Sequence, residues 1–214
     1  MTVECVTTST NHLFEGNPIA QQHMLRYHAI IQRQQWPVPE FEGMEYDTYD
    51  NPATVYLIYR DSQGIARGVS RFCPTDRPFM LNEVFAHTVQ YQDMPQGKEV
   101  LEASRFCVDH ELDGTTRRRI CQELIIAYLE YGLAHNIKHM IGIMYPAYWN
   151  SLFTKLGWDP EWLGDVVTTP DGKTSRAGMV HVSEEALANV RQITGIHQPV
   201  ISYGDTTAIP AVAA

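Results

Sequence analysis

The chain has no run of apolar residues long enough to cross a bilayer. The longest apolar-looking stretch, residues 120–137 (ICQELIIAYLEYGLAHNI), is interrupted by Glu123 and Glu130, so no membrane span is expected. The N-terminal MTVECVTTSTNHLF has neither a basic segment nor an apolar segment after it. No secretory signal is therefore expected, and the setting is read as cytoplasmic. There is no C-x-x-C pair. Cys5, Cys73, Cys107 and Cys121 lie far apart and read as reduced thiols in a core. The nine histidines show no H-x-x-x-H beside a carboxylate, so no metal is expected. Positive charge is scarce: 16 Lys and Arg stand against 25 Asp and Glu, a net charge of −9. That balance disfavours a nucleic-acid surface or a DNA-binding regulator. No internal repeat is visible.

With 44% hydrophobic and 19% charged residues, the 214-residue composition is that of an ordinary globular protein. One domain over 1–204 is expected, followed by a flexible tail at 205–214 rich in small residues. Residues 2–9 read as a β-branched strand. Pro18 opens a helix with an apolar stripe of Ile19, Leu25, Ile30 and Ile31, which ends near Trp36-Pro37. Residues 54–60 and 64–72 flank Asp61-Ser62-Gln63-Gly64 as a hairpin. Val100 to Val108 reads as a buried strand, and Thr116 is a candidate cap for a helix reaching His135. His139 to Met144 reads as a strand, followed by a helix from Pro146 to Gly157. Val166-Val167 and residues 179–182 flank Pro170-Asp171-Gly172 as a second hairpin. Ser183 caps a last helix ending at Gly195. This order predicts an α/β sandwich with a mixed sheet.

Eight residues in the first half carry a more specific pattern. Arg26 and Trp36 are spaced R-x9-W. Asp47 and Asp50 follow in EYDTYD, Arg71 and Phe85 lie in SRFCPTDRPFMLNEVF, and Glu102 and Arg105 lie in LEASRF. Their ionic members are three arginines and three carboxylates, a set that can be buried if it is gathered into one charge-balanced cluster. Over roughly residues 20–160 the arrangement resembles the LuxI-type autoinducer synthases, the acyl-homoserine-lactone synthases of bacterial quorum sensing. The resemblance implies a GNAT-like acyltransferase fold. This is a three-layer α-β-α sandwich with a mixed, mainly antiparallel sheet, in which two central strands splay to hold a pantetheine arm.

It also implies an enzyme that moves an acyl group from an acyl-carrier protein or acyl-CoA thioester to the amine of S-adenosylmethionine. Lactonisation then releases methylthioadenosine. S-adenosylmethionine is a substrate, so no cofactor is expected. Such chemistry needs a base and an oxyanion site. Glu102, in an otherwise apolar strand, is the candidate base; the plainer reading makes it an architectural partner of an arginine. Asp47 and Asp50, with Arg71 and Arg105, complete the candidate catalytic set. Arg26, Trp36, Asp47, Asp50, Phe85 and Arg105 are expected to bind adenosylmethionine. The carboxylates answer its cationic groups, and the aromatics could stack or make cation–π contacts. An Asx-turn role for the aspartates and a core role for the aromatics stay open. Strict alternation would put Glu102 and Arg105 on opposite faces, so a bulge is expected between them. Where the family usually has Phe, four residues after Arg26, this chain has Ile30.

The basic run Arg117-Arg118-Arg119 at a helix start is the candidate docking point for the pantetheine phosphate and its carrier, or else a solvated helix end. An acidic carrier would need such a local basic patch, given the overall charge. Leu101, Met140, Ile143, Met144, Trp149 and Phe153 are expected to line the acyl pocket. Ile143 stands where family members that use 3-oxo chains usually have Thr, so an acyl group without a 3-oxo substituent is expected. Two other readings compete. One is a GNAT-type N-acyltransferase acting on another amine, which leaves Asp47 and Asp50 without a sulfonium to meet. The other is a non-catalytic module that binds an acyl carrier or adenosylmethionine.

Overall fold

Runs of β-branched and aromatic residues between turn signals become strands, as their pleated packing favours. The computed structural model describes residues 3–168 and 172–204. Its strands are β1 (Val3–Val6), β2 (Glu40–Phe41), β3 (Met44–Glu45), β4 (Val55–Arg60), β5 (Ala66–Pro74), β6 (Val100–Val108), β7 (His139–Met144), β8 (Glu161–Trp162), β9 (Val167–Thr168), β10 (Thr174–His181) and β11 (Ile201–Ser202). Its α-helices are α1 (Pro18–Arg26), α2 (Met80–Glu83), α3 (Gly114–Ala134), α4 (Pro146–Leu152) and α5 (Glu184–Thr194). The expected tail and most of the Pro170-Asp171-Gly172 turn lie outside the described residues.

One sheet runs in the order β11-β1-β4-β5-β6-β7-β10-β8, with β9 on β10, while β2 and β3 form a separate small hairpin. Among the described residues only the β1–β11 and β6–β7 pairs are parallel. The result is the mixed, mainly antiparallel sheet with helices on both faces, of GNAT-like type, that the resemblance implied.

Alternation along the strands divides the core. Leu57, Phe72, Leu101, Met140 and Val180 face one layer, where they pack with Ile120, Leu124, Tyr128, Trp149, Phe153 and Leu187 from α3, α4, α5 and the turn after α4. On the other face Tyr56, Ile58, Val69 and Cys107 pack against Leu25, Ala29 and Ile30. Farther along that face Val100, Ile141, Ala177 and Met179 pack against Phe79 and Leu81 around α2. Each fully buried Leu or Phe contributes on the order of 1.5–3 kcal/mol. The four cysteines are free thiols.

Several boundaries differ from the sequence reading for local reasons. Asp113, not Thr116, caps α3: its carboxylate accepts from the Thr115 and Thr116 amides, so the helix starts at Gly114. After Arg26 the first helix widens into a π-helical segment, Tyr27–Arg33, and the Trp36 amide donates to the Ile30 carbonyl. Such widened turns commonly mark functional sites. β10 begins five residues before the apolar run at 179–182, with a polar start in which Arg176 donates to the Gly164 carbonyl and lies over the Trp162 ring.

The sheet forks between β6 and β7, at the splay that the resemblance implied. β6 and β7 pair only at Val100–His139, Leu101–Met140 and Glu102–Ile141. Beyond that point β6 continues beside β5 and β7 beside β10. Gly142 sits at the root of the fork, where an added Cβ would come 2.7 Å from the Ala103 carbonyl oxygen.

Candidate active site

Four segments bring their charged residues to the face of β5 and β6 that α1 covers. Arg26, the last residue of α1, is fully buried. Its Nη1 and Nη2 donate to the two Asp50 oxygens at 2.7 and 2.8 Å, and its Nε donates to Glu45 Oε2 at 2.5 Å. Arg71, on β5, donates from Nη1 to Asp47 Oδ1 at 2.5 Å and lies 3.1 Å from Asp50. Its Nε donates to Ser104 Oγ at 3.1 Å. Arg105, on β6, holds Glu45 at 3.0 Å and pairs with Asp47 at 2.7 Å. Tyr56 adds a hydroxyl hydrogen bond to Asp50 at 2.8 Å. Three arginines thus meet three carboxylates, and the burial is tolerable because each charge is paired.

The third carboxylate is Glu45, which the sequence reading missed. It is fully buried and bridges Arg26 and Arg105. The clue was already in EYDTYD, whose first acid, the last residue of β3, lies two residues before Asp47. Glu102, expected in the ionic set, instead takes the Met80 and Leu81 amides of α2 at 3.0 and 2.7 Å. Burial pushes its carboxyl up to about 7, against the Leu81 and Met80 amides and the charges of Arg71 and Arg105. Asp50 goes the other way. Burial would raise it, but the Arg26 hydrogen bonds and the charges of Arg26 and Arg71 outweigh that and hold it below the usual carboxylate range. Two buried carboxyls on one face therefore differ in proton affinity, as an acid–base site requires.

The bulge lies one step from where alternation located it. β5 and β6 pair regularly through Arg71–Ser104 and slip before Val69–Cys107. The odd residue is Arg105 itself, in the left-handed region at φ 54°. A non-glycine residue there costs roughly 1–3 kcal/mol. The turn brings Arg105 to the same ionic cluster that Arg71 and Ser104 join.

The remaining expected residues divide. Trp36 packs against the α1 core, and Lys173 Nζ lies 5.9 Å from its ring and 5.7 Å from that of Tyr145. These groups meet beside a hollow of about 560 Å3 lined by Tyr145, Pro146, Ala147, Gly172, Lys173 and Thr174, at the end of β7. Phe85 packs beside the α2 core instead, so the two aromatics serve different regions. Of the acyl-pocket set, Leu101, Met140, Trp149 and Phe153 belong to the α3-side core and Met144 packs against it. Ile143 corrects that set: it faces the opposite side of the sheet, against the α2 core, because β7 alternates. Trp149 is held by a hydrogen bond from Nε1 to the Arg176 carbonyl at 2.8 Å.

The basic run is less available than its sequence implied. Arg119 is paired with Glu123 at 2.6 Å, and the Asp113 carboxylate already occupies the first amides of α3. A smaller hollow of about 260 Å3 adjoins the Asp47–Asp50 loop; Tyr49, Arg77 and Glu83 are among its walls.

A model of the autoinducer synthase family matches residues 10–190. An acyl-homoserine-lactone synthase from Vibrio anguillarum is 38% identical over 104 residues, 47% of this chain and 54% of that protein. The chain thus spans about half the length of that relative. An isovaleryl-homoserine lactone synthase from Bradyrhizobium diazoefficiens is 28% identical over 158 residues, covering 72% of this chain and 68% of its own. The fold matches that of a CoA-dependent acyl-homoserine lactone synthase, BjaI, solved with SAM and isopentyl-CoA. That comparison has a TM-score of 0.84 at 23% identity and covers 95% of this chain and 94% of the other.

Proposed function

Because this chain belongs to the autoinducer synthase family, we propose that it is an acyl-homoserine-lactone synthase that acylates S-adenosylmethionine. The observation that carries this is the joint placement of a balanced ionic cluster and a separate high-pKa carboxyl beside an open fork in the sheet. The α-amine of adenosylmethionine attacks the thioester carbonyl. Glu102 accepts the amine proton, directly or through water, and the thiolate leaves. The carboxylate of the acylated product then attacks the carbon next to the sulfonium. The C–S bond breaks, methylthioadenosine departs and the lactone closes. No redox step or further cofactor enters this balance.

Asp47 and Asp50 supply negative charge for the cationic substrate, and Arg26 and Arg105 hold those acids or their neighbour Glu45 in place. We assign the substrate carboxylate to Arg71, whose Nη2 is the cluster's guanidinium nitrogen without a hydrogen-bond acceptor. Trp36 and Phe85 border the acceptor from its two ends. Leu101, Met140, Met144, Trp149 and Phe153 form the acyl side.

We favour a CoA thioester over a carrier protein as donor. The net charge of −9 repels an acidic carrier, and of Arg117, Arg118 and Arg119 one is already paired. The relative that makes isovaleryl-homoserine lactone and the fold match with a CoA-dependent enzyme point the same way. Both substrates belong to the cytoplasm, where we place the enzyme; no described helix is long and apolar enough to cross a membrane.

Incubation with S-adenosylmethionine and acyl-CoA tests the reaction. Free thiol and methylthioadenosine should appear in equal amounts. Thiol without methylthioadenosine would favour an N-acyltransferase acting on another amine, and neither product would favour a binding module.

A further inference from the structure

The bulge that turns Arg105 into the ionic cluster is held from behind as well as from the front. Ser70 is the β5 residue between the regular Arg71–Ser104 pair and the Val69–Cys107 pair, so it alone faces both Arg105 and Phe106. A residue that faces two partners cannot satisfy both with ladder hydrogen bonds. Here a side chain intervenes. Ser70 Oγ donates to the Ser104 carbonyl at 3.3 Å, next to the strained residue. Ser70 Oγ also makes a short hydrogen bond with the Tyr128 hydroxyl. Because the Ser70 proton is used on Ser104, Tyr128 is the donor in that second bond.

Both side chains are buried, Ser70 fully and Tyr128 at 2% exposure. They stand on the α3 side of the sheet, away from the ionic cluster, and neither touches a charge there. The Tyr128 ring is fixed by edge contacts with Phe72 at 4.7 Å and Phe106 at 6.3 Å. Ser104 is therefore gripped twice: its carbonyl by Ser70, and its hydroxyl by Arg71 Nε at 3.1 Å. Its backbone leads directly into Arg105.

We infer that Ser70 and Tyr128 form a two-hydroxyl prop through the sheet that fixes the Arg105 bulge, and so act as positioning residues for the adenosylmethionine side of the site. The role rests on the reaction proposed above. The hydroxyl pair bears on Arg105, on the adenosylmethionine side, whereas the Tyr128 ring, which meets Phe153 of the acyl side edge-on at 6.3 Å, is kept in Tyr128→Phe, so the loss should fall on one substrate. A hydroxyl buried only for stability would have no such preference.

Tyr128→Phe keeps the ring and removes the donor; Ser70→Ala removes the relay from the other strand. Each should raise the KM for S-adenosylmethionine about tenfold and leave the KM for acyl-CoA unchanged, with Tm within a few degrees of the parent. The double variant should be no worse than either single one, since both cut the same connection. Unchanged KM for adenosylmethionine in both single variants, equal losses toward both substrates, or additive losses in the double variant overturn the inference. The unaltered chain serves as the control for the reaction. If it makes no lactone, the functional reading fails, and the prop is then judged by amide hydrogen exchange alone. Exchange at Arg105 and Phe106 should quicken in Tyr128→Phe, and unchanged exchange there overturns the inference independently of any substrate.

Discussion

The two faces of the sheet are made by alternate residues of the same strands, yet they are filled by opposite means. Toward α3 the filling is apolar and aromatic, with Trp149, Phe153 and Tyr128 interlocked and the Ser70–Tyr128 pair among its few polar contacts. Toward α1 the apolar filling is broken into two patches by the Arg26, Arg71 and Arg105 cluster and Glu102. The first face gains stability from dispersion and loss of water contact. The second spends part of that gain on desolvating charges whose attraction only roughly offsets the cost. The difference separates a face packed by apolar side chains from a face organised around paired charges.

The sharpest break of that contrast is Arg26→Ala. It leaves Glu45 and Asp50 buried with reduced compensation, and should cost about 3–5 kcal/mol and abolish turnover. Urea unfolding and lactone assays read the two effects. Leu124→Ala on the other face should cost a comparable 2–5 kcal/mol while leaving kcat/KM of the folded fraction near the parent value. Equal kinetic damage from both would erase the distinction. Glu102→Gln should lower kcat by about 100-fold, with Tm within a few degrees, because it removes the proposed base and not a member of the ion pairs.

The pH response sharpens the comparison within one face. Activity should rise through about pH 7 as Glu102 ionises. Stability from the same group runs the other way. Its folded pKa is raised above 4.5, so its contribution is complete below that value and fades as pH climbs through about 7. Asp50, depressed by its arginines, contributes above the ordinary carboxylate range and loses that contribution in acid. Thermal melts from pH 4 to pH 9 on the parent and Glu102→Gln should show the high-pH decline only in the parent. The smallest effect concerns selectivity. Ile143 faces away from the acyl side, so Ile143→Thr should leave the ratio of 3-oxo to unsubstituted donors unchanged in competition assays read by mass spectrometry.

Much of the fold was legible because its long elements follow clean periods: β6 and β7 appear with the boundaries their apolar runs suggested. The elements missed are short. α2, β8 and β11 span two to four residues and owe their form to tertiary partners, such as the Glu102 carboxylate under the α2 amides. At the site, Arg26, Asp47, Asp50, Arg71 and Arg105 converge as their joint spacing suggested. Glu45, for which the sequence offered no role, takes the place in the ionic set expected of Glu102, because spacing identifies which acids are near but not which cation each one meets. The side of the sheet that Ile143 takes follows from alternation alone and was readable beforehand.

One hydrogen atom decides how far the sheet unzips. Gly142 lets the Ala103 carbonyl lie against its α-carbon, so the seam between β6 and β7 closes up to Glu102 and stops. A methyl at 142 would drive the seam apart nearer its start, toward Val100 and His139. The crevice would then deepen by a residue and the Glu102 carboxyl would lose the flank that keeps it dry. Crevice depth and the burial of the Glu102 carboxyl are thus set by the same missing side chain.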